Sequence, residues 1–189
     1  MRRRAKAANV LLAIAVAASL RCGGSGGGGG GGPTVPPTPT PIVAITFTPS
    51  GTGGTNSLAL TRLSSDQNTI VLSLEATSVT DLYGIAFDLR FPAHALAFDQ
   101  ATEGTFLDLN NTVDTSLQVA EMPSGTLVIG LTRLGQVGGR TGTGSLLRLE
   151  FDRRGAGQGD FVFIDNQAFN PLGQAISGVQ WSAGHVVVP

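Results

Sequence analysis

The chain has 189 residues, a formal net charge of −1, two histidines and one cysteine. Five of its twelve basic residues (Arg2, Arg3, Arg4, Lys6 and Arg21) lie near the start, leaving seven against all thirteen acids in a remainder without lysine. That balance excludes a nucleic-acid binder, which needs a basic patch to release counterions, and a lone cysteine excludes an intramolecular disulfide, so the fold must rest on its core.

Residues 1–22, MRRRAKAANVLLAIAVAASLRC, begin basic and continue into an apolar and small-residue run from Val10 to Leu20. The run has the form of an export signal and is short for a membrane span. Cys22 follows it immediately. In that arrangement the segment resembles the signals of bacterial lipoproteins, in which the cysteine after the apolar run is lipidated and becomes the mature N-terminus; Arg21 stands where that family prefers Gly, Ala or Ser. The resemblance implies lipidation at Cys22 and a membrane anchor. The alternatives are an ordinary secretory signal with Cys22 incidental, or a misassigned start. Residues 23–41, GGSGGGGGGGPTVPPTPTP, read as a flexible glycine coil followed by a stiffer, polyproline-like spacer, which suits a tether.

Residues 42–189 read as one all-β domain. VAITF at Val43 and LALTRL near Leu58 open it, and TIVLSLEAT puts Ile70, Leu72, Leu74 and Ala76 on one face. YGIAFDLRF then alternates from end to end, with Tyr83, Ile85, Phe87, Leu89 and Phe91 inward and Gly84, Ala86, Asp88 and Arg90 outward. ALAF (residues 95–98) follows, then VDTSLQVA, with Asp114, Ser116 and Gln118 outward. TLVIGLT points Leu127, Ile129 and Leu131 inward, and SLLRLEF does the same with Leu147, Leu149 and Phe151 while Arg148 and Glu150 face out. DFVFID and GVQWSAGHVVV complete the set. Glycine- and asparagine-rich clusters separate the runs, and one apolar face per strand implies two sheets packed face to face.

The stretch YGIAFDLRFPAHALAFDQATEGTFL, with Phe91, Pro92, Leu96, Phe98, Gly104 and Phe106, resembles the third- and fourth-strand region of cohesin domains. GTLVIGLTRLGQVGGRTGTGSLLRLEFDRRGAGQGDFVF and the turn NPLGQAI (residues 170–176) are similar to later parts of the same family. The resemblance covers about Leu58 to Val188. It implies a nine-stranded jelly-roll β-sandwich and a non-catalytic module whose flat sheet face binds a dockerin on another protein, a role tied to extracellular polysaccharide degradation. With the lipoprotein-type signal, it implies a module displayed at the outer membrane or cell surface, or otherwise secreted. The family's polar recognition residues on the third strand fall on Gly84 and Ala86, which are bare. The remaining outward candidates for partner binding are Asp88, Arg90, Ser116, Gln118, Thr132, Arg148 and Glu150, expected on one face, where a cross-strand pair such as Asp88 with Arg148 would be ordinary sheet stabilisation.

Catalytic patterns are lacking. His94 falls in a turn and His185 in the last strand, neither in a spaced metal motif, and no G-x-S-x-G elbow occurs. DLNNTVD is rich in oxygen ligands but lacks the EF-hand order, and Asp108, Asp114, Asp160 and Asp165 lie near turns, where carboxylates cap or solvate. No cofactor is expected. Two other readings stay open: a carbohydrate-binding module of the same fold, which would need Tyr83 or Trp181 exposed as a stacking platform, and a structural surface lipoprotein with an unrelated partner.

Overall fold

The computed structural model describes residues 43–189 except 52, 110 and 111, so the expected signal, Cys22 and the whole tether lie outside the described residues. Among the described residues eleven strands form two sheets. The front sheet runs, edge to edge, β1 (Thr46–Pro49), β11 (Gly184–Val188), β9 (Gly157–Phe169), β4 (Gly84–Arg90), β7 (Thr126–Arg133) and β6 (Thr115–Met122). The back sheet runs β10 (Gln180–Ser182), β2 (Ser57–Ser65), β3 (Thr69–Leu82), β8 (Arg140–Arg153) and β5 (Leu96–Glu103). Every pairing is antiparallel except β10 with β2.

The alternation along each strand explains this arrangement. Ile70, Leu72, Leu74 and Ala76 of β3 and Leu147, Leu149 and Phe151 of β8 are fully buried, and across the sandwich they meet Ile85, Phe87 and Leu89 of β4 and Leu127, Ile129 and Leu131 of β7. Phe151 joins the layers, with its ring centroid 5.1 Å from Phe91 and 5.2 Å from Phe161 on the front side and 5.8 Å from Phe98 on its own. Tilted and edge-on geometries of this kind add to the burial of the rings.

The count of eleven corrects the expected nine. GVQWSAGHVVV is two strands rather than one: after Ser182 the chain leaves the back sheet, buries Ala183, and enters the front sheet at Gly184. A Cβ on Gly184 would lie 2.4 Å from the Phe47 ring and 2.6 Å from the Thr48 carbonyl oxygen, so only glycine lets the strands close there. Tyr83 makes the equivalent crossing between β3 and β4. Its N–H donates to the Phe169 carbonyl at 2.8 Å, its carbonyl accepts from Arg133 N–H at 3.0 Å, and its hydroxyl donates to the Gly135 carbonyl at 2.7 Å.

Candidate docking face

The outer face of the front sheet is built in rows across four strands. Ser116, Thr132, Gly84 and Phe169 stand side by side, followed by Gln118, Gly130, Ala86 and Gln167. Then come Ala120, Val128, Asp88 and Ile164, and last Met122, Thr126, Arg90 and Val162. Of the four central positions in the first two rows, three are Gly84, Gly130 and Ala86, and the fourth is Thr132. With almost no side chain there, the sheet sinks into a trough of about 430 Å³.

One wall of the trough is the segment from Phe169 to Gly173, between β9 and β10. Asn170 holds this turn closed: its Oδ1 accepts from Leu172 N–H and Gln174 N–H, both at 3.0 Å, and Gly173 takes φ 73, a left-handed conformation suited to glycine. The other wall is Ser116 and Gln118 on β6. A second depression continues from Ala86 and Gly130 towards Val128 and Ala120. Beyond it Val128, Val162 and Met122 are exposed at 41%, 42% and 48%. A broad, mostly apolar face with scattered polar groups results, the composition of a protein-binding surface centre.

Of the seven predicted contact residues, Asp88, Arg90, Ser116, Gln118 and Thr132 share this face. Arg148 and Glu150 do not. They project from β8 on the outer side of the back sheet, Arg148 between Ser73 and Thr102, Glu150 between Val71 and Gln100. The expectation of a single face is corrected, and with it the example pair: Asp88 lies opposite Val128 and Ile164, and the core separates it from Arg148. The reason is topological, since β4 and β8 belong to different sheets, packed about 10 Å apart with outward directions opposed.

The apolar members of the face, Val128, Val162, Met122 and Phe169, were not singled out from sequence. Val128 in TLVIGLT and Val162 in DFVFID sit at outward positions of strands already apolar inward, and that double-sided pattern is the signal that could have found them.

Of the two candidate sugar platforms, Trp181 is engaged internally, whereas Tyr83, expected to face inward, lines the trough. Trp181 packs against Phe163 at 5.1 Å and Phe87 at 5.5 Å between centroids, and Tyr83 is half-buried at the sheet crossing. Asp108 serves its turn by accepting from Val113 N–H at 3.0 Å. Among the described residues no three of His, Cys, Asp and Glu are grouped as metal ligands. The one ion pair among them joins His185 Nδ1 to Asp160 Oδ1 at 2.7 Å, on β11 and β9. Asp66, between β2 and β3, has its carboxyl held below the ordinary 3.8 by the N–H groups of Asn68 and Thr69, which donate to it.

No protein-family model matches the sequence, and no curated protein matches it. Solved structures do. A type II cohesin dyad from the adaptor ScaA scaffoldin of Acetivibrio cellulolyticus superposes with a TM-score of 0.59 at 14% identity, covering 71% of this chain and 49% of that one. The chain thus spans about half the length of the dyad. Type II cohesin A11 from Bacteroides cellulosolvens gives 0.57 at 12% identity, covering 72% of this chain and 99% of that one. A type II cohesin–X–dockerin complex from Acetivibrio cellulolyticus gives 0.53 at 15% identity, with 72% and 93% covered. The described domain therefore has the cohesin fold, a jelly-roll sandwich of two packed β-sheets.

Proposed function

We propose that the domain is a non-catalytic docking module that binds a dockerin-type protein partner through the outer face of its front sheet. The trough floored by Gly84, Gly130 and Ala86 carries this reading: small residues at the centre of a flat sheet leave room for a partner's side chains to sink in, and exposed valines and Met122 extend the apolar contact around it. Asp88 and Arg90 lie on the same face without an ion pair among the described residues, and they supply charge at its far end. The presence of a dockerin in one structurally similar complex supports the class of partner.

The signal-like start, Cys22 and the Gly/Pro/Thr tether fit display of this module at the outer membrane or cell surface, where it would recruit a partner to extracellular polysaccharide. The test is titration calorimetry with calcium-loaded dockerin modules encoded in the same genome. Binding is expected, and Ala86→Arg, which fills the trough from an exposed position, abolishes it. Failure of every such dockerin to bind, or binding indifferent to Ala86→Arg, refutes the reading.

A further inference from the structure

The back sheet carries a second groove, of different chemistry, on the opposite side of the molecule. Ser64, Val71, Glu150 and Gln100 form a straight row across β2, β3, β8 and β5. Both outer strands break register immediately before this row, β2 between Arg62 and Ser64 and β5 between Phe98 and Gln100. The two extra residues are Leu63 and Asp99. A bulge bends and twists its strand, so a bulge at each end of one row curls the sheet around it. Two adjoining depressions of about 190 and 290 Å³ result, and they share Ser64, Val71 and Glu150.

The groove is polar where the front trough is apolar. Glu150 Oε2 accepts from Gln100 Nε2 at 3.0 Å. Arg148 and Glu150 line the same depression two residues apart on β8, yet they form no ion pair, so neither neutralises the other. A guanidinium only donates and a carboxylate only accepts, while the hydroxyls of Ser64 and Thr102 do both. An acidic ligand would meet Glu150 and Asp66, and a basic one would meet Arg148. A neutral polyhydroxylated ligand satisfies all of them, because each of its hydroxyls donates and accepts. Val71 on the floor and Leu63, half-exposed at the rim, offer apolar contact for the C–H face of a sugar ring. The row crosses three inter-strand gaps, roughly 14 Å, which suits a chain of sugars more than a single one.

We infer that this back-sheet groove binds a neutral polysaccharide chain, held by hydrogen bonds to Glu150, Gln100, Arg148 and Thr102 rather than by an aromatic platform. The inference does not rest on the docking reading, since the two sites occupy opposite faces.

Affinity electrophoresis of the purified protein in native gels containing hydroxyethylcellulose, xylan or pullulan tests it. Retardation by at least one of the three is expected. It should be lost in Glu150→Ala and in Gln100→Ala, and kept in Ala86→Arg on the other face. Unchanged thermal midpoints exclude unfolding as the cause, and Thr102→Ala, at an exposed position, provides a second reading should Glu150→Ala fold poorly. The proposal is overturned if none of the three polysaccharides retards the protein, or if the groove variants are retarded as strongly as the parent. It is equally overturned if the groove variants lose dockerin binding while no polysaccharide is bound.

Discussion

Phe151→Ala removes the ring that joins the two sheets. Phe151 is fully buried and lies within 5.1 to 5.8 Å, centroid to centroid, of Phe91, Phe161 and Phe98. Truncating a buried phenylalanine costs about 3–5 kcal/mol, the spread depending on how far the cavity collapses. Three aromatic partners on two sheets argue for the upper half of that range, because neither sheet can close the gap without moving against the other. With a urea dependence of about 2 kcal/mol per molar for a domain of this size, the unfolding midpoint should fall by roughly 2 M. Phe151→Leu keeps most of the volume and should cost about 1–2 kcal/mol. Equilibrium urea unfolding, followed by the fluorescence of Trp181 and by far-ultraviolet circular dichroism, measures both. A midpoint shift under about 0.5 M for Phe151→Ala, with an unchanged slope, would show that the ring does not couple the sheets and would refute the packing argument.

Gly104→Ala should lose roughly 2 kcal/mol, since its Cβ would lie 2.2 Å from the Ser145 carbonyl oxygen, whereas Gly138→Ala, with open space around it, should be near neutral; chemical denaturation of the pair decides. Asp66 supplies a pH-dependent element: its folded carboxyl lies below 3.8, so its stabilising effect is complete above that value and is lost as pH falls through the folded pKa. Asp66→Asn keeps an acceptor without a titrating proton, so the parent's stability relative to this variant should fall between pH 5 and pH 2 and stay constant at higher pH; an unchanged difference over that acid range counts against the turn geometry. Trp181, half-buried against Phe87 and Phe163, should emit to the blue of free tryptophan, resist iodide quenching and shift red on unfolding. Mass spectrometry of the mature N-terminus should find a diacylglyceryl group on Cys22, and an unmodified cleavage elsewhere would rule out the anchor.

Much of the fold was legible because a strand in a two-sheet sandwich shows its inward face every second residue. Ile70, Leu72, Leu74 and Ala76, or Leu127, Ile129 and Leu131, carry that period without interruption, and all are buried. Where the period breaks, the reading broke too. Leu146 and Leu147 are adjacent yet both fully buried, because the β3–β8 register slips between Leu74 and Glu75 and turns an extra residue inward. The switch at Ala183 was hidden for the same reason: a glycine inside an apolar run marks a close approach only once the neighbouring strand is in place.

The candidate site divides along the same line. Alternation by itself determined that Asp88, Arg90, Ser116, Gln118, Thr132, Arg148 and Glu150 point outward, since facing depends only on local parity. Which sheet each strand joins depends on pairings between residues far apart in the chain, such as Ala86 with Gly130 and Val71 with Glu150. Only those long-range pairings sent Arg148 and Glu150 to the opposite side of the molecule from Asp88. They also set Gly84, Gly130 and Ala86 next to one another, so that three small side chains, bare when read singly, became the floor of one trough.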